Sequence, residues 1–403
     1  MPSPDNDNAA RNAPPLDGLL VLDFTRVIAG PYLTQMLGDL GAEIIKVEDP
    51  RGGDDFRHYN PPGRTGDAPF FIGLNRNKKS VLVDLTKEEG REAIRALAAK
   101  ADILVENFRP DVMAKYGLAY DDLKTVNPRL IYCSISGYGH SSPFKLVAGY
   151  DPIAQAETGM MYLTGPEGVE PQKAGASAAD TFTSLHAGMA LMGAIVARQR
   201  TGEGQHVDVS LYDSMLASTG YAAMYPLLLN QDMDRAGNSS VVLVPMGSYD
   251  CADGQLFLVV GNNRQYERFC EALERPDLLS DERYGSLADR LKNREPLEAE
   301  IIAELKKRPR EEWVQRLRDA GVPAGAVRTP MEAMTAPETL GREMVQSVEH
   351  DGGTKEVVWS PFRLSATPPR KPGRVPLHGE DTDDVLGAML GYSPEQIAKV
   401  RGG

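Results

Sequence analysis

Cysteine is scarce in this sequence. The three present, Cys133, Cys251 and Cys270, are widely spaced and form no CxxC pair. That argues against a disulfide framework or a thiolate zinc site and points to a reducing compartment. Basic residues are also in deficit: 44 Lys and Arg stand against 57 Asp and Glu, a formal net charge of −13. A general nucleic-acid binder would show the opposite excess. Local basic groups for an anionic ligand are still compatible with this balance. No apolar run reaches the ~18–20 residues of a membrane span. The opening MPSPDNDNAARNAPP has no apolar signal core, and Asp5 and Asp7 make it a poor transit peptide. Residues 1–15 are expected to form a disordered tail on a cytoplasmic protein. The GxGxxG of a dinucleotide site is missing after the first expected strand.

What is present suits two domains with a large core: 403 residues, 41% hydrophobic. Residues 19–24, LLVLDF, read as a buried strand. Thr25 then serves as an N-cap and Pro31 sits early in a helix that stops at Gly41. Residues 42–47 form the next strand, so the chain opens with a βαβ unit and a parallel sheet. Residues 48–68 read as a long surface loop. Arg76, Lys78 and Lys79 precede a strand at 81–85, either as a solvated loop end or as a site for phosphate or carboxylate. A helix at 88–100 and strands at 101–108 and 130–136 continue the pattern. Their ends, Glu106-Asn107 and the SGYG of 136–139, lie where ligands sit in open α/β sheets. The expected architecture is α/β: a Rossmann-like large domain over 16–225, a smaller α+β domain over 226–328 and a C-terminal return to the large domain over 329–403.

Residues 175–215 organise the chain. An apolar, small-residue run after Asp180 reads as a buried helix, with Arg198 and Arg200 in its last turn and Gly202 as its stop. Alternation over Val207, Val209 and Leu211 reads as a strand leading into another helix. Asp180 has two readings. It can be an N-cap accepting the orphan amides of the helix. It can also be a carboxylate held ionised at a helix N-terminus, able to act as a covalent nucleophile. The pattern alone leaves both open.

GASAADTFTSLHAGMALMGAI, followed by RTGEGQHVDVSLYDSML, resembles the nucleophile segment of the class III CoA-transferases, the CaiB/BaiF family. VLDFTRVIAGP, VENFRP and SGYG resemble further family motifs in the same order, so the likeness spans roughly residues 16–400. The resemblance implies that Asp180 is the catalytic aspartate. It implies that Arg26, Ile28, Ala29, Val83, Leu85, Asn107, Phe108, Arg109, Lys115, Ser136, Gly137 and Tyr138 contact CoA. It implies that Gly261 and Asn262, from GNNRQ, approach the acyl group. Arg76, Arg51 and Arg264 are candidates for the far carboxylate of a dicarboxylic acid. It further implies an intertwined homodimer and CoA thioesters as substrates, with small carboxylic acids as the other partner. No permanently bound cofactor or metal is implied, and neither is nucleic acid or a membrane. The racemase branch has a His where this chain has Tyr150, and a tyrosine of ordinary pKa is a poor base at neutral pH. The oxalate branch has His and Gln at Arg26 and Ile28. The wording of NRNKKS and GNNRQ stands closer to the succinyl-CoA-dependent branch that serves dicarboxylates such as glutarate. An acyl-CoA epimerase of the same fold and a non-catalytic CoA-binding protein are the alternatives. Asp381, in GEDTDDVL, replaces a His common in the family, with no catalytic consequence expected.

Overall fold

The structure, a computed structural model, describes residues 12–403. Most of the tail expected at 1–15 therefore lies outside the described residues. The described chain forms two compact units. One comprises the residues up to Met160 with Lys173–Ala223 and Pro337–Gly403; the other comprises Met161–Gln172 and Met224–Ala336. The short excursion of Met161–Gln172 is held to the second unit by Arg235, whose guanidinium donates to the carbonyls of Thr164, Val169 and Glu170. A side chain bonding carbonyls 65 to 71 residues away makes that link, which no local pattern in the sequence could signal.

The first unit is built on six parallel strands: β1 (Leu20–Asp23), β2 (Glu43–Glu48), β3 (Lys78–Leu82), β4 (Ile103–Glu106), β5 (Ile131–Ser136) and β6 (His206–Ser210), in the order β3-β2-β1-β4-β5-β6. β1, β4 and β5 are buried along their whole length. That is why they read as unbroken apolar runs and not as alternating ones. Helices Ala29–Asp39 and Ala178–Thr201 contribute to the apolar cluster on one face. Helix Glu88–Ala98 and the C-terminal helices Thr382–Leu390 and Pro394–Val400 contribute to the cluster on the other. Strand order reverses between β1 and β4, and the crevice at the C-terminal ends of such a pair is the usual ligand position in this topology.

The second unit has its own core around Trp313, Phe269 and Leu297. It carries the antiparallel strands β7 (Met246–Asp250), β8 (Gln255–Val259) and β9 (Ala324–Ala326). A hairpin, β10 (Val345–His350) with β11 (Gly353–Val358), belongs to the first unit.

Three local expectations change. Thr25 is not an N-cap: its hydroxyl donates to Asp23 Oδ1 at 2.5 Å, and the helix begins only at Ala29. Residues 48–68 are not simply a surface loop, because Asp54, Phe56 and Arg57 are buried. Arg57 clasps Glu48 with two bonds of 2.9 and 2.6 Å and lies 3.7 Å from the Phe71 ring centroid. The basic cluster is neither a solvated end nor a free anion site. Arg76 is buried and holds Asp39 through two bonds of 3.0 and 2.6 Å. Lys78 is buried and donates to Asp23, Asn75 and the Pro31 carbonyl. Only Lys79 is on the surface, paired with Glu43. Burial forces such cations to find partners, since an unpaired buried charge is costly. Asp381 accepts from the Ser80 amide at 2.8 Å and so fastens the C-terminal return to β3.

Candidate active site

Asp180 lies in the first turn of helix Ala178–Thr201, after Ser177 at the N-cap position. Ser177 makes no side-chain capping bond. The carboxylate of Asp151 does that work instead: its Oδ1 accepts from the amides of Ala179 at 2.7 Å and Asp180 at 3.3 Å. The other oxygen of Asp151 accepts from Gln155 at 2.7 Å, and Gln155 in turn accepts from the Ala174 amide. Asp180 is therefore a first-turn residue held beside a second carboxylate, not the cap itself.

Two glycines make this approach possible. A Cβ on Gly149 would fall 2.4 Å from Gly137 Cα, and a Cβ on Gly137 would fall 2.8 Å from Gly149 Cα. The two backbones cross in contact, and the chain that leaves this crossing carries Tyr150 and Asp151. Ser184, one turn into the long helix, sits with its Oγ 2.6 Å from the Ala29 carbonyl and 2.8 Å from that of Asp180. This ties the helix to the turn after β1. That turn is linked to the end of β4 by a reciprocal pair: the Arg26 amide donates to Asn107 Oδ1 at 2.9 Å, and Asn107 Nδ2 donates to the Arg26 carbonyl at 2.8 Å.

These elements enclose a cleft of about 300 Å³ at the β1/β4 reversal. Of the residues singled out in the sequence, Arg26, Ile28, Ala29, Asn107, Phe108, Arg109, Ser136, Gly137 and Asp180 line it together. An adjoining cleft of about 240 Å³ shares Arg26 and Phe108 and is lined also by Val83, Leu85 and Arg51. The guanidinium of Arg26 stands over the Phe108 ring at 5.1 Å. Lys115 is on the surface and pairs with Asp111. The Tyr138 hydroxyl donates to Glu157 at 2.9 Å. Gly261 and Asn262 belong to the second unit, where the Gly261 amide is engaged by Gln265 Oε1 at 2.7 Å and Asn262 caps helix Asn263–Ala272. Arg76, bound to Asp39, lines neither cleft. The sequence reading missed Asp151, Lys145 and Asp55, which also line the larger cleft. Asp151 stood in the AGYD segment already under inspection, but its partner amides are 28 and 29 residues away. Among the described residues, no group of three or more His, Cys, Asp or Glu side chains is arranged to hold a metal ion.

Burial, and after it the charge of Asp151, pushes the Asp180 carboxyl up from 3.8 to about 7. A helix N-terminus ordinarily pulls a carboxylate the other way. Here two of its amides are already spent on Asp151. The sequence expectation of a fully ionised Asp180 is corrected accordingly: near neutrality, the group is poised between its two forms. Such a carboxylate, facing a cleft that also carries Arg26, Arg109 and Lys145, can act as a nucleophile or exchange a proton once it ionises.

This raised value has a consequence for stability. Between pH 4 and 7 the unfolded chain has lost the Asp180 proton while the folded chain keeps it. Ionisation therefore costs stability progressively as pH rises, and the penalty is complete above about pH 7. An Asp180→Asn variant is expected to be more stable than wild type at pH 8, by on the order of 3 kcal/mol. The gap is expected to close toward pH 4. Urea unfolding at both pH values measures it; an equal or smaller stability at pH 8 contradicts the assignment.

Residues 16–382 match the sequence profile of CoA-transferase family III. Over 400 residues the chain is 35% identical to succinyl-CoA:glutarate CoA-transferase of Homo sapiens, covering 96% of this chain and 89% of that protein. It is 37% identical over 383 residues to succinate–glutarate CoA-transferase of Agrobacterium fabrum, covering 93% of this chain and 96% of that one. The crystal structure of a CaiB/BaiF family protein from Brucella suis superposes with a TM-score of 0.87 at 37% identity, over 94% of this chain and 100% of the other. The α/β fold, the parallel sheet and the ordered motifs agree with these likenesses, and the chain belongs to CoA-transferase family III.

Proposed function

We propose that the protein moves CoA from succinyl-CoA to a dicarboxylic acid through a covalent intermediate on Asp180. The observation that carries this reading is the position of Asp180: a poised carboxylate in a cleft whose walls hold Arg26, Asn107, Phe108 and Arg109. The donor and acceptor classes come from relatives named succinyl-CoA:glutarate CoA-transferase, at 35% identity, and succinate–glutarate CoA-transferase, at 37%.

The chemistry runs in four displacements. Ionised Asp180 attacks the donor thioester carbonyl; the C–S bond breaks and CoA leaves as a thiolate, giving a mixed anhydride. The thiolate attacks the Asp180 carbonyl of that anhydride, which releases the donor acid and leaves an aspartyl thioester of CoA. The acceptor carboxylate attacks this thioester, forming a second anhydride and freeing the thiolate again. The thiolate then attacks the acceptor carbonyl, producing the new acyl-CoA and restoring Asp180. Thioester energy is conserved throughout, so no ATP is consumed. Each displacement replaces one hard exchange between weak nucleophiles with an easier step.

Tyr150, 65% exposed at the cleft edge, stands where the racemase branch has its His, which favours transfer over the racemase alternative. A homodimer fits the apolar stripe of Phe182, Leu185, Met189 and Val196 on the exposed face of the long helix. These residues recur near helical spacing, as a face covered by a second copy would. Three unpaired, buried thiols fit a reducing, cytoplasmic setting. No described helix is long and apolar enough to cross a membrane.

Transfer is measured by supplying succinyl-CoA with glutarate and a panel of other dicarboxylates. Asp180→Ala is expected to lower the rate about a thousandfold or more while CoA binding is retained; transfer at the wild-type rate contradicts the reading. The pH profile carries a second expectation. The rate should rise with pH through about 7, as Asp180 ionises. Burial also pushes Glu106 to about 7, so the profile alone does not identify the group. Asp151→Asn keeps an oxygen to cap the helix but removes the neighbouring charge, and it should move the midpoint to lower pH. A midpoint unmoved by Asp151→Asn assigns the profile to another group.

A further inference from the structure

The turn between β1 and helix Ala29–Asp39 contains an anomaly. Val27 has φ = +69°, in the left-handed region. Of the non-glycine described residues with positive φ, Val27 alone is β-branched; the others are Asn77, Asn230, Glu274, Glu343 and Asp351. A β-branched residue is strongly disfavoured there and persists only where its surroundings over-determine it. Val27 lines the same cleft as Arg26, Ile28, Ala29 and Asp180.

Its surroundings can be traced bond by bond. The Val27 amide donates to Asp54 Oδ1 at 3.0 Å. Asp54 Oδ2 is paired with Lys46 Nζ at 2.9 Å, and the same Nζ donates to the Thr25 carbonyl at 2.7 Å. Thr25, Lys46, Asp54 and Val27 thus close a ring of bonds around the start of the turn. The side chains of Lys46 and Asp54 are fully buried. The ring is anchored further by the Asp54 amide, which donates to Glu48 Oε2 at 3.1 Å, and Glu48 is itself clasped by Arg57. Asp54 Oδ1 also accepts from the Phe56 amide at 3.0 Å. The intervening residue, Asp55, also lines the cleft. Asn107 bonds the amide and carbonyl of Arg26, and the Val27 amide goes to Asp54. At the far end of the turn, the N-cap residue Ile28 of helix Ala29–Asp39 makes no side-chain capping bond, and Ser184 meets only the Ala29 carbonyl.

We propose that Asp54, oriented by Lys46, is a positioning residue for the acyl-CoA site: it holds Val27 in its left-handed conformation and thereby fixes the cleft wall formed by residues 26–29. The proposal rests on the reading of this cleft as the CoA site. Asp54 reaches the ligand only through the turn, so its loss should raise the KM for acyl-CoA far more than it lowers kcat. Pre-organisation of this kind lowers the ordering cost of binding and leaves the reacting atoms untouched.

Asp54→Asn tests this directly, but it faces Lys46 with a buried amide and the variant could fail to fold. The double variant Lys46→Met/Asp54→Leu replaces the buried pair with apolar groups of similar size, an exchange that buried ion pairs often tolerate. Calorimetry with CoA is expected to show about tenfold weaker binding in the double variant, which still unfolds cooperatively but at a lower temperature, because the Val27 and Phe56 amides and the Thr25 carbonyl lose their side-chain partners. Adding Val27→Gly should recover most of that loss, because glycine adopts positive φ without a clamp. Binding equal to wild type in the double variant, or no recovery with Val27→Gly, overturns the proposal. Wild type that fails to bind CoA would sink the reading of the cleft instead. The clamp is then judged without ligand, by hydrogen exchange at the Val27 amide. Exchange about tenfold faster in the double variant than in wild type supports it; equal exchange overturns it.

Discussion

The Asp151 carboxylate at the start of helix Ala178–Thr201 is the contact on which the rest of the site depends. One oxygen takes two amides that a helix N-terminus would otherwise leave open. The same carboxylate, held by Gln155, presents a like charge to Asp180. A single side chain therefore starts the helix, aims its first turn and helps burial to raise the Asp180 pKa. These effects cannot be separated by geometry, which is why charge and cap have to be separated chemically. The backbone crossing of Gly137 and Gly149 is the steric condition for the contact, since any side chain at either position would drive the loop away.

The sheet supplies the frame. Strand order reverses between β1 and β4, and the crevice so opened is bridged by Arg26 and Asn107. Beneath it lies a layer of buried charge: Asp23 with Lys78, Lys46 with Asp54, and Glu48 with Arg57. Buried ion pairs contribute little net stability, because desolvation consumes most of the attraction. Their value here is geometric. Lys46–Asp54 and Glu48–Arg57 join β2 to the loop that supports the cleft, Asp23–Lys78 joins β1 to β3, and each becomes costly to disturb once buried. The C-terminal return adds the last ties, through Asp381 on β3 and the Pro376 carbonyl on Arg57.

Much of this frame was legible in the sequence wherever the cause is local. The unbroken apolar runs of β1, β4 and β5, the Gly202 stop and the alternation after it each follow from neighbours a few residues away. The motif likeness also brought Arg26, Asn107, Phe108, Ser136 and Asp180 onto one list, and they line one cleft. What escaped is long-range. Arg76 looked available until Asp39, 37 residues earlier, was seen to hold it. Thr25 is a local exception: it looked like a cap until Asp23, two residues earlier, claimed its hydroxyl. Asp180 looked like the cap until Asp151 took that role. The loop over 48–68 looked polar and exposed, because its Asp and Arg residues satisfy one another in the interior and leave no hydrophobic signature. Val27 gave no signal, since strain lies in a dihedral angle and not in a residue type.

The account turns on a covalent bond to Asp180. Mass spectrometry of the intact protein after incubation with succinyl-CoA, with borohydride or hydroxylamine as trap, tests it most directly. The account predicts a trapped or reduced side chain that maps to Asp180 and is lost in Asp180→Asn. Transfer to an acceptor acid that proceeds under trapping conditions while Asp180 stays unmodified contradicts it.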